Sequence, residues 1–205
     1  MKTGFTLATS VVLAIAIIAL VHQCTTGKID NTQTQFLNNQ IEQLLLPESY
    51  DNNPANSVIH LSSPELGSNE KLPIYRASLA GNPSGSVITA VAPDGYNGDI
   101  HLLIGLSYSG NVIGVRVTKH NETPGLGDDI DIKRSDWISA FDNLQTGQMA
   151  MQQWQVKRDG GSFDQFTGAT ITPRAVVHAV HRVVRWHAQA KEIIYAPATA
   201  PANAQ

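Results

Sequence analysis

The segment Asp164-Gln165-Phe166-Thr167-Gly168-Ala169-Thr170-Ile171-Thr172-Pro173 concentrates the residue types that could do chemistry in this 205-residue chain. It joins a glycine turn to the start of a helix. Backbone N–H groups there lack intrahelical partners and carry partial positive charge, a setting suited to a phosphate. Gly168 and Ala169 keep bulk away from the Thr170 hydroxyl, so a phosphorylated ligand or a second enzyme could reach it. The same residues also support a purely architectural reading, in which Thr172 caps the helix, Pro173 opens it and the small residues make the bend.

Other clusters carry less. Gly125-Leu126-Gly127 begins like a dinucleotide fingerprint, but Ile130 stands where the third glycine belongs and no crossover helix follows directly. Asp128, Asp129 and Asp131 lack the spaced oxygen ligands and glycine of a calcium loop and read as a solvated turn. His178 and His181 share a helical face with Arg182 and Arg185, whose charges would oppose a metal, so they read as a basic surface stripe. There is no Gly-x-Ser-x-Gly element to support a hydrolase. The single cysteine, Cys24, leaves no disulfide framework, and 14 Lys and Arg against 17 Asp and Glu argue against a nucleic-acid partner.

The elements that must position Thr170 follow from punctuation and periodicity. Asn31 or Thr32 caps a helix carrying Leu37, Ile41, Leu44 and Leu45, which Pro47 ends. A polar loop, 48–56, leads to short strands at Val58–Leu61, Ile74–Leu79 and Val87–Val91. Ile100–Ser107 and Val112–Lys119 form a hairpin about Tyr108-Ser109-Gly110-Asn111, with Ile113, Val115 and Val117 alternating against Arg116 and Thr118. A short helix capped by Ser135 carries Trp137, Ile138 and Phe141, and Trp154–Val156 reads as a strand. A last helix buries Val176, Val180 and Val183, and a flexible tail follows Tyr195. The result is an α+β domain with a twisted, antiparallel-rich sheet flanked by helices.

That domain stands on a stalk. Residues 5–21 carry no charge, and at ~1.5 Å per residue they reach roughly 26 Å against a hydrocarbon layer of ~30 Å. Val21-His22-Gln23 before Cys24 lacks the small residues of a cleavage or lipidation site, so an uncleaved anchor in the lipid bilayer is expected. The basic start of the leader stays inside, which places the rest of the chain on the periplasmic side of a bacterial inner membrane.

With these stretches in view, the chain resembles the FMN-binding domain family. Asp164–Thr170 is similar to the family's flavinylation motif, Gly95-Tyr96-Asn97-Gly98-Asp99-Ile100 to its turn into a strand, and Glu122–Gly127 to the loop after the following hairpin. Members include the G subunit of the Rnf electron-transport complex, which the Gln165-Phe166 pair and Thr170–Val177 resemble most, and the C subunit of the sodium-pumping NADH:quinone reductase. The resemblance implies a membrane-anchored electron carrier, without turnover of its own, working among the other subunits of an Rnf-type ion-translocating complex. A separate flavin transferase, using FAD and a divalent metal, would join the FMN phosphate to the Thr170 hydroxyl. Gly168 and Ala169 would shape the acceptor turn, Thr167 would stay unmodified, and Asp164 would assist acceptor recognition or activation. Glu122, Thr123 and Leu126 match the loop near the isoalloxazine ring in relatives.

On this basis residues 1–24 are expected to be the anchor, 25–95 a helix and connecting strands, 96–195 the FMN-binding core and 196–205 the tail. A covalent link suits an exported carrier: a micromolar site, worth ~8 kcal/mol at standard state, empties where the free cofactor is scarce. The quinone-reductase C subunit and a cofactor-free, colourless assembly module are the alternatives.

Overall fold

The computed structural model describes residue 15 and residues 39–197. The chain divides into two units, 1–39 and 40–205, and the second holds everything described below. Among the described residues no helix is long and apolar enough to cross a membrane, and the expected anchor at 5–21 lies outside them apart from Ile15.

Five strands form one antiparallel meander in chain order: β1 Val58–Ser63, β2 Ser68–Leu79, β3 Asn82–Gly95, β4 Gly98–Ser107 and β5 Val112–Lys119. The hairpin expected from alternation is β4–β5, paired from His101 opposite Lys119 to Leu106 opposite Val112 with register shifts after His101 and after Gly105. Side chains alternate across a strand, so each strand contributes to both faces of the sheet. Ile88, Ala90 and Ala92 of β3 and Ile100, Leu102, Ile104 and Leu106 of β4 face the main core. There they meet α1, Ile171–Ile194, through Val176, Val180 and Val183, all fully buried.

The opposite face is covered by residues 40–46, helical only to residue 43. Tyr75, Val87, Gly105 and Gly114 lie side by side across β2 to β5. Gly105 has no room for a side chain, because a Cβ there would come within 2.1 Å of the Leu44 carbonyl oxygen. The two glycines thus let Leu44 settle on the sheet, and Ile41, Leu44 and Leu45 are buried.

Between β5 and α1 the chain runs through short 3-10 turns rather than regular elements. The helix expected around Trp137 is the five-residue turn Trp137–Phe141. Trp154–Val156 is not a strand: only Val156 bridges, to Phe163, because Gly160 is left-handed at φ +89° and returns the chain at once. A run of edge-to-face and stacked aromatics fills this region in place of a ladder. Phe166 lies 5.2 Å from Trp137, Trp137 5.8 Å from Phe141, and Phe141 4.6 Å from Phe163.

Candidate functional site

Three separate segments meet at the start of α1 and enclose a cavity of about 340 Å³ lined by Tyr96, Glu122, Thr123, Leu126, Gly127 and residues 168–172. They are the β3–β4 turn, the loop after β5 and the run into the helix. Each is held by hydrogen bonds whose partners lie far away in sequence.

Glu122 is the hub. Its carboxylate is buried (4% exposed), accepts from the Thr172 hydroxyl through Oε2, and accepts the Asn97 N–H through Oε1 at 3.0 Å. A buried carboxylate is costly unless its lone pairs are used, and these two donors join all three segments at one side chain. Thr123 adds a second tie, its Oγ1 accepting from Asn97 Nδ2 at 3.1 Å. Gly127 is required next to this pair, since a Cβ there would lie 2.8 Å from Glu122 Oε2 and 2.9 Å from Thr172 Oγ1.

The loop 123–127 folds back on itself, with the N–H groups of Leu126 and Gly127 both donating to the Thr123 carbonyl at 3.1 Å. Asp128 braces it by accepting the Gly125 N–H at 2.6 Å and pairing with Arg134 at 3.3 Å. Asp128 is therefore buried, not part of a solvated turn, because these donors replace water around its carboxylate. The loop presents Leu126 outward, 43% exposed, over the cavity.

Across from it, Phe166–Ala169 is a tight turn closed by the Ala169 N–H donating to the Phe166 carbonyl at 3.2 Å. Its third residue, Gly168, has φ +83°, the left-handed geometry that glycine supplies in a type II turn. The absence of a side chain there leaves Leu126 Cδ2 3.7 Å from the Cβ position. Trp137 anchors the segment, its indole N–H donating to the Asp164 carbonyl at 2.8 Å.

Helix α1 begins at Ile171, with Thr170 as the flanking residue. Thr172 does not cap it, contrary to the architectural reading, because its hydroxyl is drawn into the Glu122 bond one residue inside the helix. The Thr170 side chain makes no capping bond either. Its Oγ1 accepts from the Arg158 guanidinium at 3.4 Å. The helix start thus leaves the N–H groups of Ile171 and Thr172 without intrahelical partners beside a half-buried hydroxyl.

Of the residues singled out in sequence, Thr170, Gly168, Ala169, Glu122, Thr123 and Leu126 all line this cavity. Thr167 and Asp164 do not. Thr167 is exposed in the turn, and Asp164 is turned outward to pair with Lys157 at 2.6 Å. Tyr96, Gly127, Ile171 and Thr172 join the lining without having been singled out as site residues, and Arg158 reaches Thr170 from a different turn.

A ligand phosphate would find the Arg158 cation, the two free helix N–H groups and the Thr170 hydroxyl together. A planar aromatic group would find Tyr96, Leu126 and Ile171, apolar side chains 66%, 43% and 45% exposed around the cavity. Apolar walls with a few convergent polar groups are the usual character of a cofactor pocket, and a flavin mononucleotide fits this donor set.

The comparisons with known proteins agree with the geometry. A family model described as "FMN-binding domain" matches residues 95–185, from the β3–β4 turn through most of α1. The G subunit of the ion-translocating oxidoreductase complex of Shewanella baltica is 46% identical over 91% of this chain and 88% of its own length. The protein of the same name from Pseudomonas aeruginosa is 42% identical over 96% and 92%. This chain belongs to that G-subunit family. A crystal structure of Shewanella oneidensis NqrC aligns with a TM-score of 0.46 at 20% identity, covering 76% of this chain and 73% of that one. The resemblance drawn from Asp164–Thr170 and its companion stretches is thus met at the level of the family.

The histidines of α1 are not a basic stripe. His181 stacks on Trp154 at 5.1 Å and 6°. Burial holds His178 and His181 below the ordinary imidazole value; Asp94 opposes the shift at His178, and Arg185 adds to it at His181.

Proposed function

We propose that this chain is a membrane-anchored electron carrier of an Rnf-type ion-translocating oxidoreductase complex, with FMN joined through its phosphate to Thr170 Oγ1. The observation that carries the reading is the position of that hydroxyl. It lies on the wall of a cavity built by three segments, serves no cap, and faces a cation that no ion pair occupies among the described residues. A threonine retained only for the helix would be expected to bond its own backbone.

When bound, the flavin supplies the redox chemistry, and this chain's residues hold it. Leu126 and Tyr96 would offer the ring apolar contact, the Glu122–Thr172 bond fixes the cavity wall, and Gly168 lets the acceptor turn pass close to Leu126. Thr170 ties the phosphate to the first turn of a 24-residue helix packed on the sheet, so the anchor point is rigid. A flavin transferase installs the group from FAD, and an exposed turn at Thr167 and Gly168 gives that enzyme access. Residues 5–21 hold the chain in the inner membrane with the domain on the periplasmic side. Electrons pass between neighbouring subunits through this carrier, which turns over no substrate alone.

The test is in-gel flavin fluorescence of the full chain, produced with its flavin transferase and separated under denaturing conditions. Wild type should fluoresce, Thr170→Ala should be dark, and mass spectrometry should find the FMN moiety on the peptide containing Thr170. A fluorescent Thr170→Ala band would overturn the assignment.

A further inference from the structure

We propose that Arg158 is the anion-pairing residue of flavin attachment: it holds the Thr170 oxygen before the ester forms and pairs with the phosphodiester afterwards. This rests on the attachment at Thr170 proposed above. The direct observation is the contact between Arg158 Nη1 and Thr170 Oγ1, 3.4 Å apart across 12 residues of chain.

The surroundings explain why this cation is available. Its two neighbours are committed elsewhere, Lys157 to Asp164 at 2.6 Å and Asp159 to Arg174 through both oxygens at 2.7 and 3.0 Å. Arg158 itself takes part in no ion pair among the described residues. Asp159 and Asp164 thus each have a cationic partner of their own, and although Arg158 still feels the charge of Asp159, its guanidinium contacts the Thr170 hydroxyl.

Its position is built rather than incidental. The Lys157 N–H donates to the Phe163 carbonyl at 2.7 Å, and the Arg158 N–H donates to Gln165 Oε1 at 3.1 Å. Gly161 packs where a Cβ would fall 1.9 Å from the Gln155 carbonyl oxygen. The Asp159–Arg174 fork then fastens this turn to the first turns of α1. Four contacts therefore fix the base of a long side chain whose tip reaches the reacting oxygen.

The chemistry needs a cation there. In the transfer, Thr170 Oγ1 forms a bond to the flavin-side phosphorus of FAD and the pyrophosphate P–O bond breaks. AMP leaves with the electron pair, and the hydroxyl proton is released. Negative charge builds on the phosphoryl oxygens and persists as one charge on the product diester. A guanidinium has five N–H donors, so it can keep one on Oγ1 and offer others to the non-bridging oxygens.

The test measures initial rates of label transfer to the full-length apo chain with purified flavin transferase, FAD and Mg²⁺, read by in-gel fluorescence. Wild type is compared with Arg158→Lys, Arg158→Gln, Arg158→Glu and Thr170→Ala. The expected order is Arg, then Lys, then Gln, then Glu. Arg158→Gln should be about five- to tenfold slower, the scale of one partly exposed charge-assisted contact. Added NaCl should slow wild type more than Arg158→Gln. The Arg158 side chain is exposed, and circular dichroism of the apo variants should match wild type. If Arg158→Gln is labelled at the wild-type rate, or if Lys restores no more than Glu, the role of Arg158 falls while a dark Thr170→Ala leaves the attachment site standing. If Thr170→Ala is labelled, both readings fall.

Discussion

His187 makes the sharpest stability prediction, because its surroundings fix which proton it carries. It is fully buried, and its Nε2 lies 3.0 Å from the Tyr195 hydroxyl, which donates its own proton to Ser86 Oγ at 3.1 Å. Tyr195 therefore has only a lone pair for His187, and Nε2 must be the donor. That leaves Nδ1 as the protonation site, and Nδ1 has no partner. A proton there would place a charge in the interior, near the Lys191 ammonium. Burial first, and Lys191 second, push the imidazole down to about 4 from its ordinary 6.5. The sign follows: the unfolded chain takes up the proton near 6.5 while the folded chain resists it until about 4. Stability contributed by the neutral ring is complete above 6.5 and lost between those values as pH falls. Linkage over that interval gives about 2 kcal/mol lost at pH 5 relative to pH 8, or a fall in Tm of about 4–8 °C for a domain of this size. The perturbation is His187→Gln, whose amide can still donate to Tyr195 but cannot titrate. Thermal unfolding of the full chain in detergent at both pH values should show the larger fall for wild type. His178 and His181 contribute in the same direction to both proteins and cancel in the difference. Equal falls for wild type and His187→Gln would refute the reasoning, whatever the variant's stability at pH 8.

Two further outcomes follow from single contacts. Gly127→Ala should push a methyl group against the Glu122–Thr172 bond and destabilise the chain by about 1–3 kcal/mol in urea unfolding, with weaker flavin labelling; wild-type stability and labelling would show that the cavity wall yields. The hydrogen bond from Arg174 holds the Asp159 carboxyl below its usual value of 3.8, so the pair supports the folded state above 3.8 and is lost as pH falls past the lowered midpoint. Carboxyl NMR titration should show a midpoint below 3.8 that returns toward it in Arg174→Gln.

Much of the sheet was legible because its signals are local. Alternation in Ile113, Val115 and Val117 and the turn Tyr108–Asn111 specify the β4–β5 hairpin within about twenty residues of chain. The stripe Val176, Val180 and Val183 likewise announces a helix with one buried face. What could not be read this way depends on partners distant in sequence. Thr172 has the chemistry of a cap, but Glu122, 50 residues earlier, takes its hydroxyl. Asp128 looks like a surface acid until Arg134 and the Gly125 N–H surround it. His181 looks like part of a basic stripe until Trp154 stacks on it. In each case local pattern proposed a capping or solvent-facing role and tertiary contact overrode it.

The candidate site divides along the same line. The segment proposed to accept the flavin is contiguous, so Thr167-Gly168-Ala169-Thr170 could be singled out in the sequence, although residue types alone left it open to a purely architectural reading and the family resemblance decided for attachment. The groups that give Thr170 its surroundings are dispersed: Glu122 through Thr172, Tyr96 from the β3–β4 turn, and Arg158 from the turn closed by Gly160. No spacing rule links position 158 to position 170, since the contact exists only because the chain bulges between Val156 and Phe163 and returns. Asp164 shows the converse. It is the motif's leading acid, yet its carboxylate is turned outward to Lys157 while its carbonyl anchors to Trp137, so its place in a contiguous motif does not bring it to the cavity. An acid so exposed suits a surface that another protein reads before the cofactor is in place, whereas a cation that already touches the acceptor oxygen suits the bond itself. On the attachment proposed above, the two charged residues would divide the work of maturation, with Asp164 legible in the motif and Arg158 brought to Thr170 only by the fold.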